Sequence, residues 1–122
     1  MSKDILECSE DFLVYSGIES LCYPLLAIGG AGYFSATANL LPKELAQLYE
    51  FAKENKWSEA KRLHYKLLPI NEVLFIDTNP IPLKTAMSML GMIKPVFRPP
   101  LTMLSEDKKA KLLEVLKLYF KL

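Results

Sequence analysis

The stretch GGAGYFSATAN at residues 29–39 decides the fold. Its Gly29-Gly30 pair predicts the end of a helix that begins near Glu19, because glycine commonly terminates helices. Residues 32–38 then predict a strand that is buried on both faces, as in a parallel sheet. An earlier apolar run at residues 12–15 predicts a first strand of the same kind. The order strand, helix, strand therefore predicts one right-handed βαβ unit with parallel strands.

From residue 42 onward the pattern is helical. Pro42 predicts a helix start. Apolar residues at helical spacing give this helix one buried face, formed by Leu41, Leu45, Leu48 and Ala52. A second helix is predicted with Ser58 as its N-cap, and Pro69 is expected to kink or split it. Its apolar stripe is Leu63, Leu67, Ile70 and Leu74.

Proline-rich segments flank the next predicted helix, which runs from Leu83 to Gly91. Residues 79–82 (NPIP) and 95–100 predict extended backbone, since a residue that precedes proline avoids helical geometry. A last helix is predicted with Ser105 as its N-cap. Its apolar residues are Leu112, Val115, Leu116 and Tyr119.

Composition excludes several classes of protein. Apolar residues make up 51% of the 122 residues, which excludes a disordered chain. The net charge of +1 lacks the basic excess of a nucleic-acid-binding surface. Residues 21–42 carry no charged side chain, but Pro24 and several glycines argue against a membrane helix. No signal peptide is expected, so we predict a cytoplasmic protein with no nucleic-acid or membrane partner.

Few residues offer chemistry of their own. His64 is the only histidine, and no partners accompany it at the spacing of a metal site or catalytic triad. Residues 29–32 lack the ending of a phosphate-binding loop and precede a strand, so they predict a tight turn. Cys8 and Cys22 are predicted to be buried reduced thiols, with one disulfide left open. The sequence predicts no metal and no cofactor.

Four motifs occur in a consistent order along the chain. They are Tyr15-Ser16-Gly17, the run from Gly32-Tyr33-Phe34-Ser35 to Ala38-Asn39, the segment NPIPLK at residues 79–84, and RPPLT at residues 98–102. Together they resemble the C-terminal part of the dihydrodipicolinate synthase / N-acetylneuraminate lyase family. Members of that family are pyruvate-dependent class I aldolases built on a (β/α)₈ barrel. The resemblance covers nearly the whole chain.

The resemblance implies an α/β fold, mostly helical by residue count, that forms the C-terminal part of a barrel. Residues 1–41 would supply the last βαβ portion, with strands seven and eight. Residues 42–122 would supply the final barrel helix and a C-terminal helical extension. A complete barrel needs roughly 250 residues, so this chain is too short to form one alone.

The resemblance also assigns the chemistry. Family members form a Schiff base between pyruvate and a lysine on strand six, which is expected before Met1, so no catalytic residue is predicted in this chain. Two substrate-binding positions carry over. Gly17 matches a backbone contact after strand seven, and Phe34 matches a strand-eight position, often isoleucine, that lines the pyruvate pocket. Ile18-Glu19 departs from the acidic or Asn-Asp pair that is common after Ser-Gly in the synthases.

The favoured hypothesis is a C-terminal fragment of a family lyase that condenses pyruvate with aspartate semialdehyde on the route to lysine, inactive by itself. The resemblance implies a homo-oligomer for the intact enzyme. Two alternatives stay open. One is a helical interaction module without enzymatic activity. The other is a fragment of a sugar-acid aldolase or N-acetylneuraminate lyase, which Phe34 keeps open.

Overall fold

The computed structural model describes residues 1–9 and 11–122. These residues form helices α1 to α6 and strands β1 and β2, and they divide into two compact units, residues 1–68 and 69–122. In chain order the elements are α1 (Ser2–Glu7), β1 (Tyr15–Ser16), α2 (Cys22–Ala27), β2 (Gly32–Tyr33), α3 (Pro42–Lys53), α4 (Trp57–Val73), α5 (Ile81–Met89) and α6 (Glu106–Leu116). Two short 3-10 turns precede α2 and α3, at Glu19–Leu21 and Thr37–Asn39.

The two strands are parallel, as the sequence predicts. Tyr15 pairs with Gly32 and Ser16 with Tyr33. The backbone N–H of Ala31 donates to the Val14 carbonyl at 2.8 Å, which extends the pairing by one residue at its beginning. Helix α2 connects the strands and packs against both of them. The predicted order strand, helix, strand is therefore confirmed.

The predicted lengths and burial of the strands are wrong. Each strand has only two residues, and the side chains of Phe12, Leu13 and Phe34 are exposed. After Phe34 the backbone turns into the 3-10 turn at Thr37–Asn39 instead of continuing as a strand. Among the described residues, no further strand lies over these apolar side chains. The apolar runs therefore predict segments that avoid water, but the described residues do not cover the side chains of Phe12, Leu13 and Phe34.

The turn between α2 and β2 depends on its glycines. Gly29 ends α2 with φ of +94°, a conformation that side chains disfavour. At Gly30 a Cβ atom would lie 2.3 Å from Cγ of Leu25, so only glycine lets the chain pass this close. The predicted turn is confirmed, although Cys22, Leu25 and Leu26 form the buried face of α2, whereas Ile28 is exposed.

Helices α3 and α4 follow their predicted apolar stripes. Leu41, Leu45, Leu48 and Ala52 are buried in the first unit, where α3 packs against α2. Asn55, with φ of 57°, closes α3. Helix α4 begins at Trp57, so the prediction of Ser58 as its N-cap is wrong. The predicted split at Pro69 is also wrong, because α4 continues through it to Val73. Residues of α4 contribute to both compact units.

The second unit is built on α5, α6 and the end of α4. Leu112 and Leu116 of α6 are fully buried, and α5 packs against α6. The extended backbone predicted for residues 79–82 is wrong from Ile81 onward, because Ile81 and Pro82 open α5. Proline is tolerated there since its missing N–H would have no partner in the first turn of a helix. Ser105 occupies the N-cap position of α6, but its side chain makes no capping bond.

The sequence also makes predictions about the cysteines, about a membrane helix and about the division of the chain. Cys22 is buried and Cys8 is exposed, so the prediction of two buried thiols holds for Cys22 alone; both are free. Of the helices that the structure describes, none has the length and apolarity to cross a membrane. The division of the barrel portion from the helical extension between residues 41 and 42 stays a prediction.

His64 is a buried histidine. Its side chain on α4 is only 9% exposed and stacks on Tyr23, with the ring centroids 5.4 Å apart. Nδ1 of the imidazole is buried and has no hydrogen-bond partner. Burial lowers the pKa of His64 below its ordinary value, because the charged imidazolium would lose its hydration.

The free energy of unfolding should therefore fall at mildly acidic pH. The unfolded chain takes up a proton at His64 near its ordinary pKa of about 6.5, whereas the folded chain resists this uptake. The stabilisation that comes from the neutral, buried His64 is fully present above this pH and is lost as the pH falls below it. Urea unfolding at pH 7.5 and 5.5 measures the loss. His64→Phe keeps an aromatic ring against Tyr23 but cannot titrate, and it should remove most of the difference. An equal pH dependence in this variant would contradict the assignment.

Candidate functional site

The candidate site lies where the two strands end. Gly17 follows β1 directly and Phe34 follows β2 directly, so both predicted substrate-binding residues reach the same end of the parallel pair. The backbone N–H of Phe34 donates to the carbonyl of Ser16 at 2.8 Å. The structure therefore brings the two predicted positions together, although their role in binding stays a prediction.

The loop after β1 is tied by Ser16. Its buried hydroxyl donates to the carbonyl of Ile18 at 2.9 Å and accepts the Ile18 N–H at 3.1 Å. These two bonds hold Ile18 and the peptide group that joins it to Gly17. A Cβ atom added at Gly17 would meet nothing within 4 Å, so the surface over this residue is open.

The ring of Phe34 is exposed as well. Its side chain is 74% exposed, and its ring lies 5.5 Å from that of Tyr15, centroid to centroid. The next residue toward the strand interior, Tyr33, points the other way and donates its hydroxyl hydrogen to the Leu45 carbonyl of α3. Burial raises the pKa of Tyr33 well above its ordinary value, so this hydroxyl remains a protonated donor.

Glu19 connects the two loops of the site. Its side chain is only 2% exposed, and its Oε1 accepts hydrogen bonds from three groups that follow Phe34. The donors are the Ser35 hydroxyl at 3.2 Å, the Ala36 N–H at 2.5 Å and the Thr37 N–H at 3.3 Å. The other carboxylate oxygen, Oε2, is buried without a hydrogen-bond partner. A buried carboxylate needs such donors, because it gives up its hydration on folding.

The Cys22 thiol lies beside this carboxylate. Burial and the negative charge of Glu19 raise the pKa of Cys22 to about 12. The thiol is therefore protonated at neutral pH, and its Sγ is 3.7 Å from the Ile18 carbonyl. A protonated buried thiol is a poor nucleophile, so Cys22 has a structural role.

Glu19 is not among the predicted site residues, because the resemblance marks it only as part of a departure from the family pattern. One signal was present. Glu19 directly precedes the uncharged stretch at residues 21–42, so no cation nearby in sequence could neutralise it. An acid at the edge of a buried segment without a cationic partner must find N–H or O–H donors, and the backbone after β2 supplies them.

A metal site or the lysine that the family's chemistry needs would be another source of chemistry among the described residues. None of their histidine, cysteine and acidic side chains form a cluster that could hold a metal ion. Every lysine lies outside β1 and β2. Lys84 donates to the Val96 carbonyl and lies 5.0 Å from the Phe97 ring centroid, while Lys108 pairs with Asp77 at 2.6 Å. These ammonium groups serve the packing of the second unit.

An open cavity of about 390 Å³ lies between the two strands and α3. Its lining is mainly apolar and aromatic and includes Tyr15, Tyr33, Leu45 and Tyr49. Neither Gly17 nor Phe34 lines it. Tyr15, whose ring lies against Phe34, connects the cavity with the candidate site, and none of the described residues that line the cavity is charged.

Comparisons with known proteins agree on one family. The model of the Dihydrodipicolinate synthetase family matches residues 1–119. A 4-hydroxy-tetrahydrodipicolinate synthase of Thermodesulfovibrio yellowstonii is 45% identical over 117 residues, which are 96% of this chain and 40% of that protein. The chain thus spans about two fifths of the length of this relative.

Solved structures agree with this result. The crystal structure of dihydrodipicolinate synthase from Aquifex aeolicus matches with a TM-score of 0.94 and 44% identity, over 97% of this chain and 40% of that one. The chloride-inhibited dihydrodipicolinate synthase from Acinetobacter baumannii, solved in complex with pyruvate, matches with a TM-score of 0.91 and 32% identity, over 96% and 40% of the two chains.

If Phe34 serves an open pocket and not the core, its truncation should cost little stability. Phe34→Ala should lower the free energy of unfolding by no more than about 1 kcal/mol. Leu25→Ala, at a fully buried position of α2, should cost about 2–5 kcal/mol. Urea unfolding followed by circular dichroism measures both. Equal losses in the two variants would place Phe34 in the core and contradict its assignment to the site.

Proposed function

Because this chain belongs to the dihydrodipicolinate synthetase family, we propose that it is the C-terminal portion of a family lyase. In the intact enzyme, β1 and β2 would be strands seven and eight of a (β/α)₈ barrel. One observation carries the proposal. The two-stranded parallel sheet and the residues next to its strands expose large apolar side chains, those of Phe12, Leu13, Tyr15 and Phe34. Parallel sheets are normally covered on both faces, and two strands alone are marginally stable.

The remaining strands of a barrel would cover this apolar surface. They would also place the candidate site at the carboxyl ends of the strands, where barrel enzymes bind substrate. Gly17 and Phe34 follow the carboxyl ends of β1 and β2. We therefore propose that Gly17 contacts the substrate through its backbone and that Phe34 forms a wall of the pyruvate pocket.

The nucleophile would come from outside this chain. In the proposed mechanism, a lysine at the end of strand six forms a Schiff base with pyruvate and releases water. Loss of a proton from the pyruvate methyl group then gives an enamine, which attacks the aldehyde. Such a lysine must have a lowered pKa to act as a nucleophile. The lysines of this chain do not suit the role, because they lie on helices and loops.

For the aldehyde we propose aspartate semialdehyde, because the similar relative from Thermodesulfovibrio yellowstonii is a 4-hydroxy-tetrahydrodipicolinate synthase. Phe34 supports one alternative. A phenyl ring at a position that is often isoleucine in the family changes the width of the pocket, so a sugar-acid acceptor remains the second candidate. We also propose that the intact enzyme is a cytoplasmic homo-oligomer.

Reduction of the Schiff base tests the proposal directly. This chain alone, incubated with pyruvate and borohydride, should give no covalent adduct by mass spectrometry. A chimera can be made from the part of the Thermodesulfovibrio yellowstonii synthase that precedes the matched region, joined to this chain at residue 1. This chimera should give the covalent adduct. The adduct should map to a lysine of the upstream part, and the chimera should consume pyruvate with aspartate semialdehyde.

Two controls accompany this experiment. The upstream part of the relative alone should be inactive, and the intact relative should form the adduct. A stable pyruvate adduct on this chain alone would contradict the proposed division of labour. A folded chimera that neither forms the adduct nor turns over would contradict the lyase assignment and favour the alternative of a non-enzymatic interaction module.

A further inference from the structure

We propose that Glu19 is a positioning residue of the substrate site, which sets the place of Phe34 through the backbone that follows it. The inference rests on the proposed function, because it concerns the pocket that Phe34 would line. Glu19 does not reach that pocket itself, since both of its carboxylate oxygens are enclosed.

The hydrogen bonds of Glu19 fall on the residues that come directly after Phe34. Its Oε1 binds the Ser35 hydroxyl and the N–H groups of Ala36 and Thr37. On the other side, the N–H of Phe34 itself is held by the Ser16 carbonyl. Phe34 is therefore fixed at both ends of its backbone, once by the sheet and once by the carboxylate.

The same carboxylate also joins the two loops of the site. Glu19 lies two residues after Gly17, in a loop that the Ser16 hydroxyl fixes through Ile18. A movement of the loop after β1 would therefore displace residues 35–37, and a movement of residues 35–37 would displace that loop. The distance between Gly17 and Phe34, the two predicted substrate-binding positions, is therefore set by the bond between the Phe34 N–H and the Ser16 carbonyl and, beyond the strands, by the Glu19 side chain.

A charged group suits this task better than an apolar one. Hydrogen bonds to a carboxylate are shorter and stronger than neutral ones, so they hold backbone atoms more narrowly. Stability alone would not favour the arrangement, because Oε2 is buried without a hydrogen-bond partner. A well-packed apolar side chain often stabilises a protein as much as a buried charge does. The free-energy cost of burying Oε2 without a partner is explained if the geometry of the pocket requires the carboxylate.

A matched pair of substitutions separates positioning from general stability. Glu19→Ala removes the acceptor for residues 35–37. Cys22→Ala removes a neighbouring side chain that is equally buried, but whose thiol bonds the Ile18 carbonyl instead of those residues. Glu19→Gln keeps an acceptor oxygen in the same place and serves as the conservative variant. All three are made in the chimera described above, which carries the full length of a family member.

The readouts are the KM for pyruvate, kcat and the thermal unfolding midpoint. Glu19→Ala should raise KM or lower kcat so that kcat/KM falls roughly 10-fold or more, because small misplacements of binding groups are costly. Cys22→Ala should lower the unfolding midpoint but leave kcat/KM within about 3-fold. Glu19→Gln should restore most of kcat/KM. A kcat/KM in folded Glu19→Ala that equals that of Cys22→Ala would overturn the inference.

A second measurement uses this chain alone and does not depend on catalysis. Amide hydrogen exchange by NMR should show that Glu19→Ala speeds exchange at Ala36 and Thr37, whereas Glu19→Gln, which keeps an acceptor oxygen, should leave it closer to that of the unsubstituted chain. The amide of Gly30, which donates to the Leu25 carbonyl at 2.8 Å, is the internal reference and should stay unchanged. Suppose that exchange speeds up at Ala36 and Thr37 alone while the unsubstituted chimera is inactive. That combination would contradict the proposed function but support the anchoring of Phe34. Unchanged exchange at Ala36 and Thr37 in Glu19→Ala would overturn the inference, whatever the activity of the chimera.

Discussion

The bond between the Glu19 carboxylate and the backbone after β2 is the constraint on which the rest of the first unit depends. Each strand has only two residues, so the sheet offers few hydrogen bonds to hold its own register. Glu19 adds a second connection, from the loop after β1 to Ala36 and Thr37. Hydrogen bonds to a charged group contribute about 1.5–3 kcal/mol each. The end of the sheet is thus held by a side chain as well as by strand pairing.

This constraint explains the form of the candidate site. The backbone bends after Phe34 because residues 36 and 37 turn their N–H groups toward a buried acid, and the 3-10 turn at Thr37–Asn39 follows. Beyond it, Leu40 and Leu41 enter the core and α3 begins at Pro42. The bend leaves the Phe34 ring outside the core. An aromatic ring held on a fixed backbone, beside an open glycine, is suited to line a pocket that other strands complete.

Much of the helical structure could be predicted from the sequence, because apolar side chains at helical spacing report directly on the buried face. Leu45 and Leu48 of α3 and Leu63, Leu67 and Ile70 of α4 are all buried as predicted. Helix starts were less accessible. Ser58 looks like an N-cap, yet Asn55 with its positive φ ends α3 so that α4 begins at Trp57. Pro82 suggests extended backbone, but at the start of α5 it needs no N–H partner.

The strands and the site were harder to predict for a different reason. A continuous apolar run states that a segment avoids water, but it does not state which part of the chain covers it, so Phe12 and Phe34 were predicted to be buried and are exposed. Gly17 and Phe34 came from resemblance, and the structure adds that they follow adjacent strand ends. Glu19 became visible only when the residues brought next to it were known, because its partners lie 16 to 18 positions away in the chain.

A crystal structure of the chimera, with pyruvate trapped by borohydride, tests the central claim most directly. In this crystal structure, β1 and β2 should close an eight-stranded barrel as its last two strands. Phe34 and the backbone of Gly17 should then face the trapped pyruvate, with Glu19 still bound to the N–H groups of Ala36 and Thr37. A barrel in which Phe34 points away from the pyruvate, or in which Glu19 no longer binds these groups, would contradict it.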